Sequence, residues 1–183
     1  MVIVLFGAPG VGKGTQAEIL AEKLGIAHLS TGAAFRSAIQ RATPIGLVAK
    51  EYVERGGLVP DDVVAKVVEE ALAGSDFERG CILDGFPRTR AQAEALETML
   101  QQLGRSIDRV VNIDVDDATI VARLLQRGRS DDREDVIQHR LDVYNAETAP
   151  LLDFYGSHGI LVSVHGVGSV DEVNQRILDV LRS

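Results

Sequence analysis

Five short apolar runs punctuate this chain, at Val2–Phe6, Ala27–Leu29, Cys81–Leu83, Val110–Val115 and Ile160–Val164. Runs of this length, mostly built from Val, Ile and Leu, read as strands covered on both faces. The segments between them are long enough for helices, at Lys13–Leu24, Ala33–Gln40, Gly46–Arg55, Asp61–Ala73, Arg90–Leu103, Asp117–Gln126, Glu134–Tyr155 and Val170–Leu181. This alternation predicts an α/β fold of three layers, a five-stranded parallel sheet between two sets of helices. Cap signals agree: acids follow Pro60 at Asp61 and Asp62, Gly74 and Gly104 sit where helices stop, and Asp171 and Glu172 open the last helix. Pro150, inside the longest helical stretch, predicts a kink or a break.

Two regions interrupt the alternation. Residues 30 to 59 carry two short helices where one crossover would suffice, which reads as an inserted arm. Residues 128 to 135 are almost wholly polar and glycine-started, and read as a short solvated loop able to move.

With 183 residues, 45% of them hydrophobic and 25% charged, the chain is expected to fold as one domain over 1–183 carrying the arm and the loop. The balance of 19 Lys and Arg against 27 Asp and Glu leaves −8, which argues against a nucleic acid polymer as partner. No apolar run approaches a membrane span, and the first apolar run lacks a basic leader, so a cytoplasmic protein is expected; no apolar stripe beyond what the core needs is evident, so a monomer is expected. Cys81 is the one cysteine, which excludes an internal disulfide and a cysteine-held structural zinc. His28, His139, His158 and His165 show no metal-ligand spacing.

Chemistry concentrates after the first strand, in Gly7-Ala8-Pro9-Gly10-Val11-Gly12-Lys13-Gly14-Thr15. Glycines let successive N–H groups face inward, Lys13 adds a positive charge, and the next helix contributes the positive end of its dipole. Together these form a cradle for a nucleotide polyphosphate. A standard phosphate loop places Ser or Thr after the lysine as a magnesium ligand. Gly14 stands there instead, so magnesium must be held another way.

A second string, Asp84-Gly85-Phe86-Pro87-Arg88, follows the Cys81–Leu83 run and should lie on the same sheet edge. Asp84 is a candidate to hold magnesium through its water shell, and Arg88 to grip phosphate in a bidentate manner. Arginines gather again at Arg123, Arg127, Arg129, Arg133 and Arg140, where they read either as surface partners of Asp131, Asp132, Glu134 and Asp135 or as clamps for a charged transition state.

In order and spacing these strings resemble the adenylate kinase family, of the bacterial type with a short lid, over nearly the whole chain. Gly7 to Thr15 is similar to its GxPGxGKGT, Ser30-Thr31-Gly32 with Arg36 to its STGxxxR, and Leu83 to Arg88 with Gln92 to its LDGFPRxxxQ. Gly57 to Asp61, the stretch from Tyr144 through Thr148 to Leu151, and His165-Gly166 with Gly168 also match.

The resemblance implies a phosphate-loop fold in which residues 30–59 form an AMP-binding arm and residues 127–136 a short lid, acting on ATP, AMP and ADP with Mg2+. Gly10, Val11, Gly12, Lys13, Gly14 and Thr15 would hold ATP, helped by Arg123, Arg127 and Gly168. Thr31, Arg36, Gly57, Leu58, Val59, Gly85, Phe86, Pro87, Arg88 and Gln92 would hold AMP. Arg129 and Arg140 would stabilise the phosphoryl group in flight, beside Lys13, Arg88, Arg123 and Asp84. Ala33 departs from the acid that many relatives carry there to position magnesium-bound water. A kinase for UMP or CMP is the nearest alternative, and Thr31 and Gln92 match the adenylate pattern instead. A phosphate-loop module that senses ATP without transferring phosphate is a second alternative, for which one nucleotide pocket would be enough.

Overall fold

Strand β1 (Val2–Phe6) is buried along its whole length and lies at the centre of a five-stranded sheet. In this computed structural model, which describes residues 1–129 and 131–182, β2 (Ala27–Ser30), β3 (Cys81–Asp84), β4 (Arg109–Asp114) and β5 (Leu161–His165) complete the sheet in the order β2–β3–β1–β4–β5. Every pairing is parallel, with Val4 opposite both Leu83 and Val110.

Alternate residues of these strands feed two cores. Val2, Val4, Phe6, Leu83 and Val110 meet α4 (Asp61–Leu72), α5 (Arg90–Gln102) and α8 (Pro150–Ser157) on one face. Ile3, Leu5, Ile82, Val111 and Ile113 meet α1 (Lys13–Leu24), α6 (Asp117–Arg127), α7 (Glu134–Val143) and α9 (Val170–Arg182) on the other. Truncating any of these central side chains to alanine is the kind of change that costs about 2–5 kcal/mol. A buried polar chain fixes α9 to α1: Asn174 donates to Gln16 at 3.1 Å, Gln16 donates to the Val170 carbonyl at 3.0 Å, and Lys23 donates to Asn174 at 2.7 Å.

Between β2 and α4 run α2 (Thr31–Gln40) and α3 (Pro44–Arg55), the two helices expected there. A Cβ on Gly46 would sit 2.1 Å from the Ala38 carbonyl oxygen, so glycine is what lets α3 pack onto the end of α2. Helix α2 begins two residues earlier than the sequence predicts because Ser30 ends the strand and caps the helix at once, its Oγ accepting from the Ala33 N–H.

The helical stretch expected over Glu134–Tyr155, with a kink or break at Pro150, is divided. Helix α7 ends at Val143, a π-helical turn covers Tyr144–Thr148, and α8 starts with Pro150 at its first position. Proline has no N–H to continue the ladder, and the Ala149 N–H reaches back five residues to the Tyr144 carbonyl at 2.8 Å. Ser130, part of the expected lid, lies outside the described residues.

Candidate active site

The chain runs from β1 outward to β2 and then β3 on one side of the sheet, and to β4 and β5 on the other. Open parallel sheets bind ligands at such a reversal, outside the carboxyl ends of the strands. The loops after β1 and β3 both open there, into a cleft of about 720 Å³. Gly10, Gly12, Lys13, Gly14 and Thr15 line it from the first loop, and Asp84, Gly85, Pro87 and Arg88 from the second. Arg36, Arg123, Arg127, Arg129 and Arg140 converge on it from α2, α6, the loop after α6, and α7.

A smaller cavity of about 70 Å³ adjoins the cleft beside α2 and α3. Thr31, Gly57, Leu58, Val59, Gly85 and Gln92 line it, and Arg36, Arg88 and Arg140 border both spaces. Three of the expected residues stand elsewhere. Val11 and Phe86 are buried in the two cores, and Gly168 lies in the turn before α9, outside both cavity walls.

The first turn of α1 is capped by Gly12, which offers no side chain. The N–H groups of Lys13, Gly14 and Thr15 take no partner among the described residues, so they and the helix dipole face the cleft as an anion site. The Lys13 ammonium is folded back into its own loop, donating to the carbonyls of Gly7 at 2.6 Å and Ala8 at 2.9 Å. Burial brings its pKa down to about 8; Asp84 opposes that shift, while Arg88, Arg140 and Arg127 add to it.

Asp84 Oδ2 accepts from Ser30 at 3.0 Å, and His28 Nε2 lies 3.8 Å away, buried and without a hydrogen bond. Burial would raise the Asp84 pKa, yet the His28 and Ser30 neighbours and the Lys13 charge together hold it below the ordinary carboxylate value. A Cβ placed on Gly14 would meet only Asp84 Oδ2, at 3.5 Å. This ionised carboxylate beside an uncrowded glycine fits a hydrated magnesium ion, which needs few direct protein ligands. No group of three or more His, Cys, Asp or Glu side chains converges on a metal position among the described residues.

The arginine cluster is partly neutralised from within. Arg127 donates twice to Asp132, at 2.8 and 2.6 Å, and Arg140 donates to Asp131 at 2.8 Å. Arg133 pairs with Asp135 on the surface, so the surface-pairing reading holds for it. Burial first, and then like-charged neighbours, lower the pKa values of Arg36, Arg88 and Arg140, with Asp131 opposing at Arg140. All three stay cationic at neutral pH. Arg123 donates to the carbonyls of Val11 and Gly166 at 3.4 and 3.2 Å, bridging the phosphate loop and the turn after β5.

Arg88 is held by three contacts. Its Nε donates to Gly85 O at 2.8 Å, its N–H to Gln92 Oε1 at 2.7 Å, and its carbonyl accepts from Thr148 Oγ1 at 2.9 Å. Sequence reasoning missed the role of Thr148 because the π-helical turn that aims it was read as uniform helix. It also missed His28 and Tyr144 on the cleft wall, and it took Asp61 for a helix-start acid although that residue contacts both Thr89 and Gln92.

The family profile described as adenylate kinase matches residues 5–160. A protein of Corynebacterium glutamicum (strain R) named adenylate kinase is 50% identical over 181 residues, covering 99% of each chain. One of Nocardia farcinica with the same name is also 50% identical over 99% of each chain. Adenylate kinase 1 of Nostoc sp. PCC 7120 is 49% identical over 99% of this chain and 98% of its own.

Proposed function

Because this chain belongs to the adenylate kinase family, we propose that it transfers the terminal phosphoryl group of ATP to AMP, reversibly, giving two ADP. One observation carries the reading: Arg36, Arg88 and Arg140 stand on the shared border of a large cleft and a small cavity. Two anionic ligands meeting there would bring their phosphates together over the three guanidinium groups, whereas a sensor of one nucleotide has no use for a second pocket.

Each site residue has a physical task in this scheme. The free N–H groups of Lys13, Gly14 and Thr15 would hold the ATP phosphates, and the Lys13 ammonium would leave the Gly7 and Ala8 carbonyls for the transferring end. Arg36 and Arg88 would bind the AMP phosphate, with Thr31, Gly57 to Val59, Gly85 and Gln92 around the nucleoside. An AMP phosphate, with a second pKa of about 6, is already ionised at neutral pH. No general base is needed, and rate comes from alignment and fixed positive charge. Arg123, Arg127, Arg129 and Arg140 would supply that charge from α6, α7 and the loop between them, with residues 127–136 closing as a lid to keep water from the phosphates. Asp84 would hold magnesium through water, and the ion would offset charge on the ATP phosphates.

ADP formation from ATP, measured with AMP, GMP, UMP and CMP in turn, tests the reading. AMP should be the best acceptor by a wide margin. Equal or faster transfer to UMP or CMP would reassign the enzyme, and ATP binding without transfer to any of the four would make it a sensor.

A further inference from the structure

The buried amide of Gln92 is gripped at both ends. Its Oε1 accepts from the Arg88 N–H at 2.7 Å, and its Nε2 donates to Asp61 Oδ1 at 2.7 Å. The other Asp61 oxygen accepts from Thr89 Oγ1 at 3.1 Å, and that hydroxyl accepts from the Gln92 N–H at 3.2 Å. Gln92 is 2% exposed and forms part of the wall of the small cavity.

A carboxylate accepts and a backbone N–H donates, so these two partners leave the amide one orientation. Flipping it would turn an N–H against the Arg88 N–H and an oxygen against the Asp61 carboxylate, two unsatisfied buried contacts created together. Each end still has capacity to spare. The NH2 group carries a second hydrogen and the oxygen a second lone pair. The cavity is therefore offered one donor and one acceptor in a set order.

We infer that Asp61 is a specificity-determining residue for the base of the acceptor nucleotide, acting by holding the Gln92 amide in one orientation. The inference rests on reading the small cavity as the AMP pocket. Adenine presents an acceptor at N1 beside a donor at its 6-amino group, which matches a donor and an acceptor fixed in order. Hypoxanthine carries N1–H and a 6-oxo group at the same two positions and so needs the amide reversed. A free amide would turn to suit either base, and its selectivity would be weak. An amide locked by Asp61 and the Arg88 N–H rejects the reversed edge, because both outcomes leave buried polar groups facing their own kind.

The test compares kcat/KM for AMP and for IMP, with ATP as donor, in the wild type, Asp61→Asn and Asp61→Ala. A ratio of two substrates does not depend on the fraction of folded enzyme, so partial misfolding leaves the readout intact. The AMP preference should fall by about tenfold in Asp61→Ala, the factor that corresponds to one buried hydrogen bond, with the KM for ATP unchanged. Asp61→Asn should keep most of it, because its amide oxygen can still accept from Gln92 Nε2 while its NH2 faces Thr89 Oγ1. Repeating Asp61→Ala in a Gln92→Ala background separates positioning from general support: the preference should then not change further. An AMP preference retained in Asp61→Ala, lost in Asp61→Asn as fully as in Asp61→Ala, or lowered equally in the Gln92→Ala background, overturns the role of Asp61. A wild type that does not prefer AMP to IMP overturns the AMP reading of the pocket, and this inference with it.

Discussion

Thr148 Oγ1 donates to the Arg88 carbonyl at 2.9 Å, joining the π-helical turn to the loop that presents a guanidinium to both cavities. Thr148→Val keeps the volume and removes the donor, leaving a half-buried carbonyl without it. The expected result is a loss of about tenfold in kcat/KM for AMP, carried by KM, with Thr148→Ser restoring most of it. Equal activity in the valine variant would show that Arg88 is placed by Gly85 and Gln92 alone.

Lys13 should appear in the pH profile. With its pKa near 8 in the free protein, kcat/KM for ATP is expected to fall above about pH 8, since that parameter reports the free enzyme. Bound polyphosphate raises the lysine pKa, so kcat should hold to higher pH. Two profiles that break at the same pH would contradict this. Lys13→Met should abolish the break and lower kcat/KM by about 10²–10³.

The Asp132 side chain is fully buried against Arg127, whose own side chain is 30% exposed. Burial opposes its ionisation, but the Arg127 guanidinium and the Arg129 N–H hold its pKa below the ordinary value. A depressed carboxyl stabilises the fold above its unfolded pKa of about 3.9 and loses that contribution as pH falls through the folded value. Asp132→Ala should therefore destabilise the protein at pH 7 by roughly 2 kcal/mol, less than a wholly buried pair because water reaches Arg127. In urea titrations the gap from wild type should narrow below pH 4; a gap independent of pH would mean that packing, not charge, is what the variant loses.

Two glycines of the phosphate loop should respond in opposite ways. A Cβ on Gly10, at φ +94°, would stand 2.8 Å from Leu124 Cγ, whereas one on Gly14 meets only Asp84 Oδ2 at 3.5 Å within a helix. Gly10→Ala should lose about 1–3 kcal/mol through strain and overpacking. Gly14→Ala should gain up to about 1 kcal/mol from helix propensity. Thermal melts decide the matter, and a stabilised Gly10→Ala would refute the geometry.

Asp84→Ala should reduce turnover with magnesium by about 10²–10³ while changing the KM for AMP little. Unchanged turnover at saturating magnesium would remove Asp84 from that duty.

Most of the frame was legible in the sequence because its signals are local. Val2–Phe6 is apolar at every position, as a strand covered on both faces must be, and the run from Gly7 to Thr15 is contiguous. What escaped depends on contacts distant in the chain. Nothing near Asp61 announces that it meets Gln92, 31 positions away. The π-helical turn was hidden because helical composition continues through Tyr144–Thr148, and only a backbone reaching around Pro150 reveals the wider register. Asp131 and Asp132 were legible as acids but not as buried ones, since the almost wholly polar loop around them reads as solvated until Arg127 and Arg140 fold over them.

The pairing of Asp131 with Arg140 and of Asp132 with Arg127 bears on the proposed capture of a nucleotide. Carboxylates seated against these guanidinium groups play the part that phosphate oxygens would take, so the protein tolerates its crowd of like charges. Under the proposed function, ligand capture at these two arginines would be a swap of one anion for another. The net electrostatic gain would then be modest, and the freed acids would be left to repel the phosphates once transfer is done, which would favour letting the products go.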